Sequence, residues 1–165
     1  MPDDDDDPLR LDRQVCFPLY AATNLITRLY RPILAALGLT YPQYLVMLVL
    51  WEGTPRSVGD LGRALYLDSG TLTPLLKRLE QAGLVTRRRD PADERRVLVD
   101  LTEEGRALRA RAESVPATMA EGFDVDPEAL DRLRETVRAL VDTLGSHAAL
   151  ARIAGEPATE GDPER

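Results

Sequence analysis

Residues 57–101, SVGDLGRALYLDSGTLTPLLKRLEQAGLVTRRRDPADERRVLVDL, hold the order of elements that decides the fold. Ser57 can cap one short helix, and Asp68 or Ser69 can cap a second that stops at Gly83. The link near Leu67 to Gly70 is a tight turn of the helix-turn-helix kind. After Gly83 the texture changes. LVTRRRD and RRVLVDL are rich in apolar or β-branched residues and flank the turn-forming PADE, which predicts a β-hairpin with a charged tip. Helix, turn, helix and basic hairpin, in that order, predict a winged helix-turn-helix.

Upstream, PLYAATNLITRLYRPILAALG repeats apolar residues at helical spacing, with Pro18 suited to the first turn, Pro32 to a kink and Gly38 to the stop. TYPQYLVMLVLWEG follows, opened by a capping box of Thr40 and Gln43 and apolar nearly all round, as a central helix should be. Downstream, Thr102 can cap a helix beginning Glu103-Glu104, and Asp126-Pro127 opens another with a stripe of Leu130, Leu133, Val137, Leu140, Val141 and Leu144. The first and last helices lie outside the winged core, and a second copy of the chain is the economical cover for their apolar faces. The expected fold is therefore mainly α with a small β-hairpin. Its parts are an acidic disordered N-terminus (1–10), an N-terminal dimerisation and sensor helix (11–39), a winged helix-turn-helix (40–101), C-terminal dimerisation helices (102–147) and a disordered tail (148–165).

Composition narrows the class. At 165 residues, 44% hydrophobic and 30% charged, the chain suits one ordinary folded unit. No apolar run is long enough to span a bilayer, and the acidic start MPDDDDDP is unlike a secretory signal, so a cytoplasmic protein without a membrane partner is expected. One cysteine and one histidine exclude an intramolecular disulfide and are too few for a zinc site; no metal or cofactor is implied. His147 reads as a charge partner near a helix end. The net charge of −7 argues against nucleic acid only as an average. From Arg56 to Arg96 nine basic residues face six acidic ones, a local excess of +3 that leaves −10 for the rest. A basic centre between acidic flanks suits a DNA-facing module.

Within that centre the second helix presents Ser69, Thr71, Thr73, Lys77 and Arg78, hydroxyls first and cations later. Hydroxyls reach phosphates and base edges, and an arginine can fork onto guanine. The hairpin adds Arg87 on its first strand, with Asp93, Arg95 and Arg96 at the tip and second strand. A tip arginine can enter the electronegative minor groove, and Asp93 could orient it.

The wing sequence DPADERR within this order of elements resembles the MarR family of dimeric winged-helix repressors. VCFPLYA, LTYPQYLVMLVLWE and LYLDSGTLTPLLKRLEQAGLVTRRR more specifically resemble its organic-hydroperoxide-sensing branch, OhrR, in a match from Leu11 to Leu144. The resemblance implies that Cys16 is a one-cysteine peroxide sensor whose sulfur is held by Tyr30 and Tyr41, one or both from the partner subunit. It also implies a homodimer bound to an inverted-repeat operator in double-stranded DNA. The residues agree independently: Cys16 lies just ahead of Pro18, at a helix start that favours the reactive thiolate, and Tyr20 is four residues on. Phe17 and neighbouring leucines would favour an organic hydroperoxide by apolar contact, a preference that the resemblance implies more than the residues do. With no second cysteine, the oxidised sulfur must pass to a small thiol or another molecule. Two alternatives stay open: a MarR-like repressor released by a small aromatic ligand, and a thiol peroxidase, which the absence of a resolving cysteine disfavours.

Overall fold

The computed structural model describes residues 7–123 and 126–145. The expectations for Asp3 to Asp6, His147 and the tail at 148–165 lie outside them. The chain divides into two compact units, Met1–Met119 and Ala120–Arg165.

In the first unit a single 3-10 turn, Leu11–Arg13, precedes helix α1 (Cys16–Ala35), then α2 (Tyr41–Glu52), strand β1 (Arg56–Ser57), α3 (Val58–Leu65), α4 (Ser69–Gln81), β2 (Val85–Asp90), β3 (Asp93–Leu101) and α5 (Glu103–Ala112). Helix α6 (Val115–Phe123) crosses into the second unit, which carries α7 (Pro127–Gly145). The fold is mostly helical with a small antiparallel sheet. The hairpin expected from sequence gains a third strand: β1 pairs with β3, giving the order β1-β3-β2. Two residues are too few to leave a periodic signal, so β1 is invisible in the sequence. The helix expected after Thr102 is two helices, parted at Glu113 and Ser114. Among the described residues no helix is long and apolar enough to cross a membrane.

Local chemistry sets the helix starts. Thr40 and Gln43 form the capping box of α2, Ser57 and Asp60 that of α3, and Thr102 accepts from the Gly105 amide at 3.0 Å to open α5. Gly83, at φ 72°, takes the left-handed conformation that ends α4 and turns the chain into β2.

Helix α2 is the centre of the core, burying Tyr44, Val46, Met47 and Leu50. Helix α4 packs Leu72, Leu75, Leu76 and Leu79 inward, each leucine contributing about 1.5–3 kcal/mol by removal from water. This inward stripe leaves Ser69, Thr71, Thr73, Lys77 and Arg78 on the exposed face. Helix α5 closes on the start of the hairpin so tightly that a Cβ at Gly105 would overlap the Leu84 carbonyl oxygen. The Trp51 indole donates to the Gly105 carbonyl at 2.9 Å, tying α2 to the same point. Helix α1 contrasts with these: of its twenty residues only Leu34 is buried. Helix α7, taken by itself, buries none, and Leu133 and Leu144 are exposed.

Candidate functional site

Helices α3 and α4 and the hairpin enclose a groove of about 680 Å³, lined by Arg63, Ser69, Thr73, Arg87, Arg95 and Arg96. Four guanidinium groups on one concavity make a surface for an extended polyanion.

The start of α4 is held by Asp68, whose carboxylate accepts from the Thr71 amide at 2.8 Å and the Thr71 hydroxyl at 3.0 Å. These bonds draw the Asp68 carboxyl below its usual range, the main-chain amide most strongly. The Thr73 hydroxyl donates to the Ser69 carbonyl at 2.6 Å. Both threonines therefore spend their donors within the helix, and their hydroxyl oxygens remain acceptors suited to the amino groups of adenine or cytosine. Lys77 and Arg78 are exposed further along the same helix.

On the wing, Arg95 stands 92% exposed, and Asp93 Oδ1 accepts from its main-chain amide at 3.1 Å and its Nε at 3.2 Å. Arg96 lies between two carboxylates, 3.7 Å from Asp60 and 3.8 Å from Asp90. Asp60 also pairs with Arg63 and takes the Ser57 hydroxyl at 2.7 Å. The Ser57 hydroxyl chiefly, with the two arginines, holds the Asp60 carboxyl low. Arg87, an expected DNA ligand, lines this groove with its guanidinium and main-chain amide held by Glu80. Arg63, Asp60 and Glu80 were absent from the site expected from sequence. Arg63 had only its place on the polar face of a short helix to mark it, and Glu80 meets Arg87 across a turn that residue spacing does not reveal.

The candidate redox site is spread along α1. Cys16 is exposed at its first residue, beside exposed Phe17 and Tyr20. Tyr30, fourteen residues on, packs against Tyr41 of α2 with ring centroids 4.7 Å apart. At 1.5 Å per residue Tyr30 is roughly 21 Å along the helix from Cys16. Burial raises the phenol pKa of both tyrosines, with the neighbouring phenols adding to the shift at Tyr30, so each stays a hydrogen-bond donor. A cleft of about 450 Å³ opens beside Tyr41, lined by Thr27, Arg31 and Leu39. From Tyr30 the aromatic contacts continue to Tyr44 at 5.9 Å and on to Trp51 at 6.3 Å. Among the described residues no group of histidine, cysteine and carboxylates could hold a metal ion.

A helix-turn-helix whose exposed face joins a wing across a basic groove defines a winged-helix, DNA-binding transcriptional regulator. The chain is 46% identical over 138 residues to the organic hydroperoxide resistance transcriptional regulator of Bacillus subtilis (strain 168), covering 84% of this chain and 94% of that one. It belongs to the MarR family, in the organic-hydroperoxide branch OhrR, a class of regulators and not of enzymes. It is also 50% identical over 143 residues to the HTH-type transcriptional regulator TtmR of Methylorubrum extorquens (strain PA1), covering 86% of this chain and 69% of that one. Residues 28–111 match the family model described as transcriptional regulator SarA/Rot. Among solved structures, reduced AbfR bound to DNA, AbfR being a Staphylococcus epidermidis protein, superposes with a TM-score of 0.69 at 34% identity, covering 84% of this chain and 96% of that one.

Proposed function

We propose that the protein is a homodimeric repressor that holds an inverted-repeat operator while Cys16 is reduced and releases it when an organic hydroperoxide oxidises that cysteine. The observation that carries this proposal is the separation of Cys16 from the tyrosine pair. Both lie on or against α1, yet one helix holds them roughly 21 Å apart. Two copies with antiparallel α1 helices would bring each Cys16 to the other's Tyr30 and Tyr41, beside the cleft at Tyr41. Exposed Phe17, Leu19, Leu25 and Leu29 supply apolar surface for such a pairing. The likeness to the Bacillus subtilis regulator supports an organic hydroperoxide as the signal.

In the proposed step the Cys16 thiolate attacks the terminal oxygen of the hydroperoxide. The S–O bond forms as the O–O bond breaks, and the departing alkoxide takes a proton to become an alcohol. Sulfur is oxidised by two electrons to a sulfenic acid, and the peroxide is reduced. A small thiol then condenses with the sulfenic acid, releasing water and leaving a mixed disulfide. The modified sulfur no longer accepts the two phenol hydrogen bonds. The tyrosine pair, packed against α2, would then shift the population between two arrangements of the reading heads.

The test is binding to operator DNA flanking the protein's own coding region, with and without a stoichiometric organic hydroperoxide, then with reductant. Release and recovery are expected for the parent, and continued binding for Cys16→Ser. A Cys16→Ser variant released like the parent would remove Cys16 as sensor. The same assay separates the alternatives: release by an aromatic compound without oxidation marks a ligand-controlled repressor, and peroxide consumption far beyond one equivalent per subunit marks a peroxidase. A cytoplasmic location follows from this role.

A further inference from the structure

One carboxylate of α4 takes three hydrogen bonds from one residue of the wing. Glu80 accepts from the main-chain amide of Arg87 at 3.1 Å, from its Nε at 2.9 Å and from its Nη2 at 2.6 Å. The side chains are only 27% and 37% exposed, so the pair is partly shielded from solvent. Both guanidinium nitrogens converge on Oε2 while the main-chain amide takes Oε1, so each carboxylate oxygen is held, and charge-assisted bonds of this kind are strong. Arg87 lines the basic groove, but reaching a phosphate would mean surrendering them.

Placement gives the pair a mechanical role. Glu80 is in the last turn of the recognition helix, and Arg87 is the third residue of β2. Arg87 is in register with Val99 on β3, so fixing Arg87 to α4 fixes the hairpin to it. The tip, with Arg95, lies three or four residues beyond Arg87, about 10–13 Å at the rise of a strand. A hairpin tilt of about 10° would displace that tip by about 2 Å, enough to break a hydrogen bond to a groove.

We propose that Glu80 and Arg87 form a bracket that sets the angle between recognition helix and wing, and that both are positioning residues for DNA binding and not DNA ligands. The proposal rests on the assignment of the groove to DNA. It makes a prediction opposite in sign to simple electrostatics. Removing the Glu80 charge from a DNA-facing surface should, by charge alone, tighten binding. If the pair is a bracket, that removal loosens it.

The test compares operator affinity across a salt series for the full-length parent, Glu80→Gln, Arg87→Met and the double variant, with thermal unfolding of each. Each single variant is expected to bind about tenfold more weakly, the scale of a lost charge-assisted hydrogen bond. Its salt slope should match the parent's, and the double variant should be no weaker than the worse single one. Glu80→Gln binding as tightly as the parent or tighter, with a shallower slope for Arg87→Met, would make Arg87 a phosphate ligand and overturn the bracket. Where a single variant is unfolded at the assay temperature, the reversed pair Glu80→Arg with Arg87→Glu decides. Affinity returning toward the parent's sustains the proposal, and no return overturns it. A parent that binds no operator at all would overturn both the bracket and the DNA assignment beneath it.

Discussion

Tyr30 and Tyr41 lie in ring contact at 4.7 Å, while Cys16, at the far end of the helix that carries Tyr30, is exposed. A phenol pair kept protonated by burial is a ready hydrogen-bond donor for a sulfur anion, but the helix keeps its own sulfur out of reach. If two copies pair with antiparallel α1 helices as proposed, complementation between protomers is expected. Tyr30→Phe with Tyr41→Phe in one chain should slow oxidation of Cys16 about tenfold or more, the scale of lost hydrogen bonds to a charged group. Mixing that chain with Cys16→Ser chains should restore the parent rate in the hybrid, whose one remaining cysteine meets intact tyrosines. Thiol titration after a pulse of organic hydroperoxide measures both rates, and a hybrid as slow as the double tyrosine variant would place the tyrosines in the same chain as their cysteine.

Trp51 is the only tryptophan of the chain, and it ends the aromatic path that begins at Tyr30. Its indole is fastened to Gly105, where α5 meets the start of the wing. If oxidation at the tyrosines is transmitted through packed rings, Trp51 emission should change on adding one equivalent of organic hydroperoxide to the parent and stay constant in Cys16→Ser. Operator release with unchanged emission would send the signal by another route.

At Gly105 the main chain of α5 rests on the Leu84 carbonyl with no room for a methyl group. Gly105→Ala must therefore push α5 off the sheet, although alanine is the better helix former. The expected loss is about 2–3 kcal/mol, the upper part of the range for single substitutions, read as a fall in the denaturant midpoint. A neutral or stabilising outcome would show that α5 yields easily at this contact.

Asp60, Asp68 and Glu80 all have carboxyl pKa values below their usual range, through the Ser57 hydroxyl, the Thr71 amide and the Arg87 guanidinium respectively. Their folded pKa lies below the unfolded one. The stability they contribute is thus complete above the ordinary carboxylate range, roughly pH 4–4.5, and lost as pH falls through the depressed values. The thermal midpoint should hold from neutrality to about pH 5 and then drop. Glu80→Gln should drop less steeply; an identical acid profile would deny that Glu80 takes part.

Much of this was legible in the sequence because it is local. Caps at Thr40, Ser57, Asp68 and Thr102, the stop at Gly83 and the inward leucines of α4 depend on neighbours a few residues away, and the structure has each of them. What escaped is set by contacts across the fold. The strand at Arg56–Ser57 exists only because β3 is there to pair with it, and Glu80 finds Arg87 only once a turn has folded one element onto the next. Candidate DNA ligands could be read as a class, cations on a hairpin, but not sorted. Arg87, Arg95 and Arg96 look alike in sequence, but their carboxylate partners differ: Glu80 for Arg87, Asp93 for Arg95, and Asp60 with Asp90 for Arg96.

That sorting predicts different behaviour for two adjacent arginines. Arg95 projects into solvent at the wing tip with one carboxylate beside it, so its charge is available to DNA. Arg95→Ala should weaken operator binding and lower the magnitude of the salt slope by about 0.9, the contribution of one neutralised phosphate. Arg96 stands between Asp60 and Asp90, joining the wing to α3 and to its own hairpin partner. Its charge is already balanced, so Arg96→Ala should leave the slope nearly unchanged while weakening affinity through a looser wing. Equal changes of slope for the two variants would mean that Arg96 leaves its carboxylates to meet a phosphate when DNA arrives.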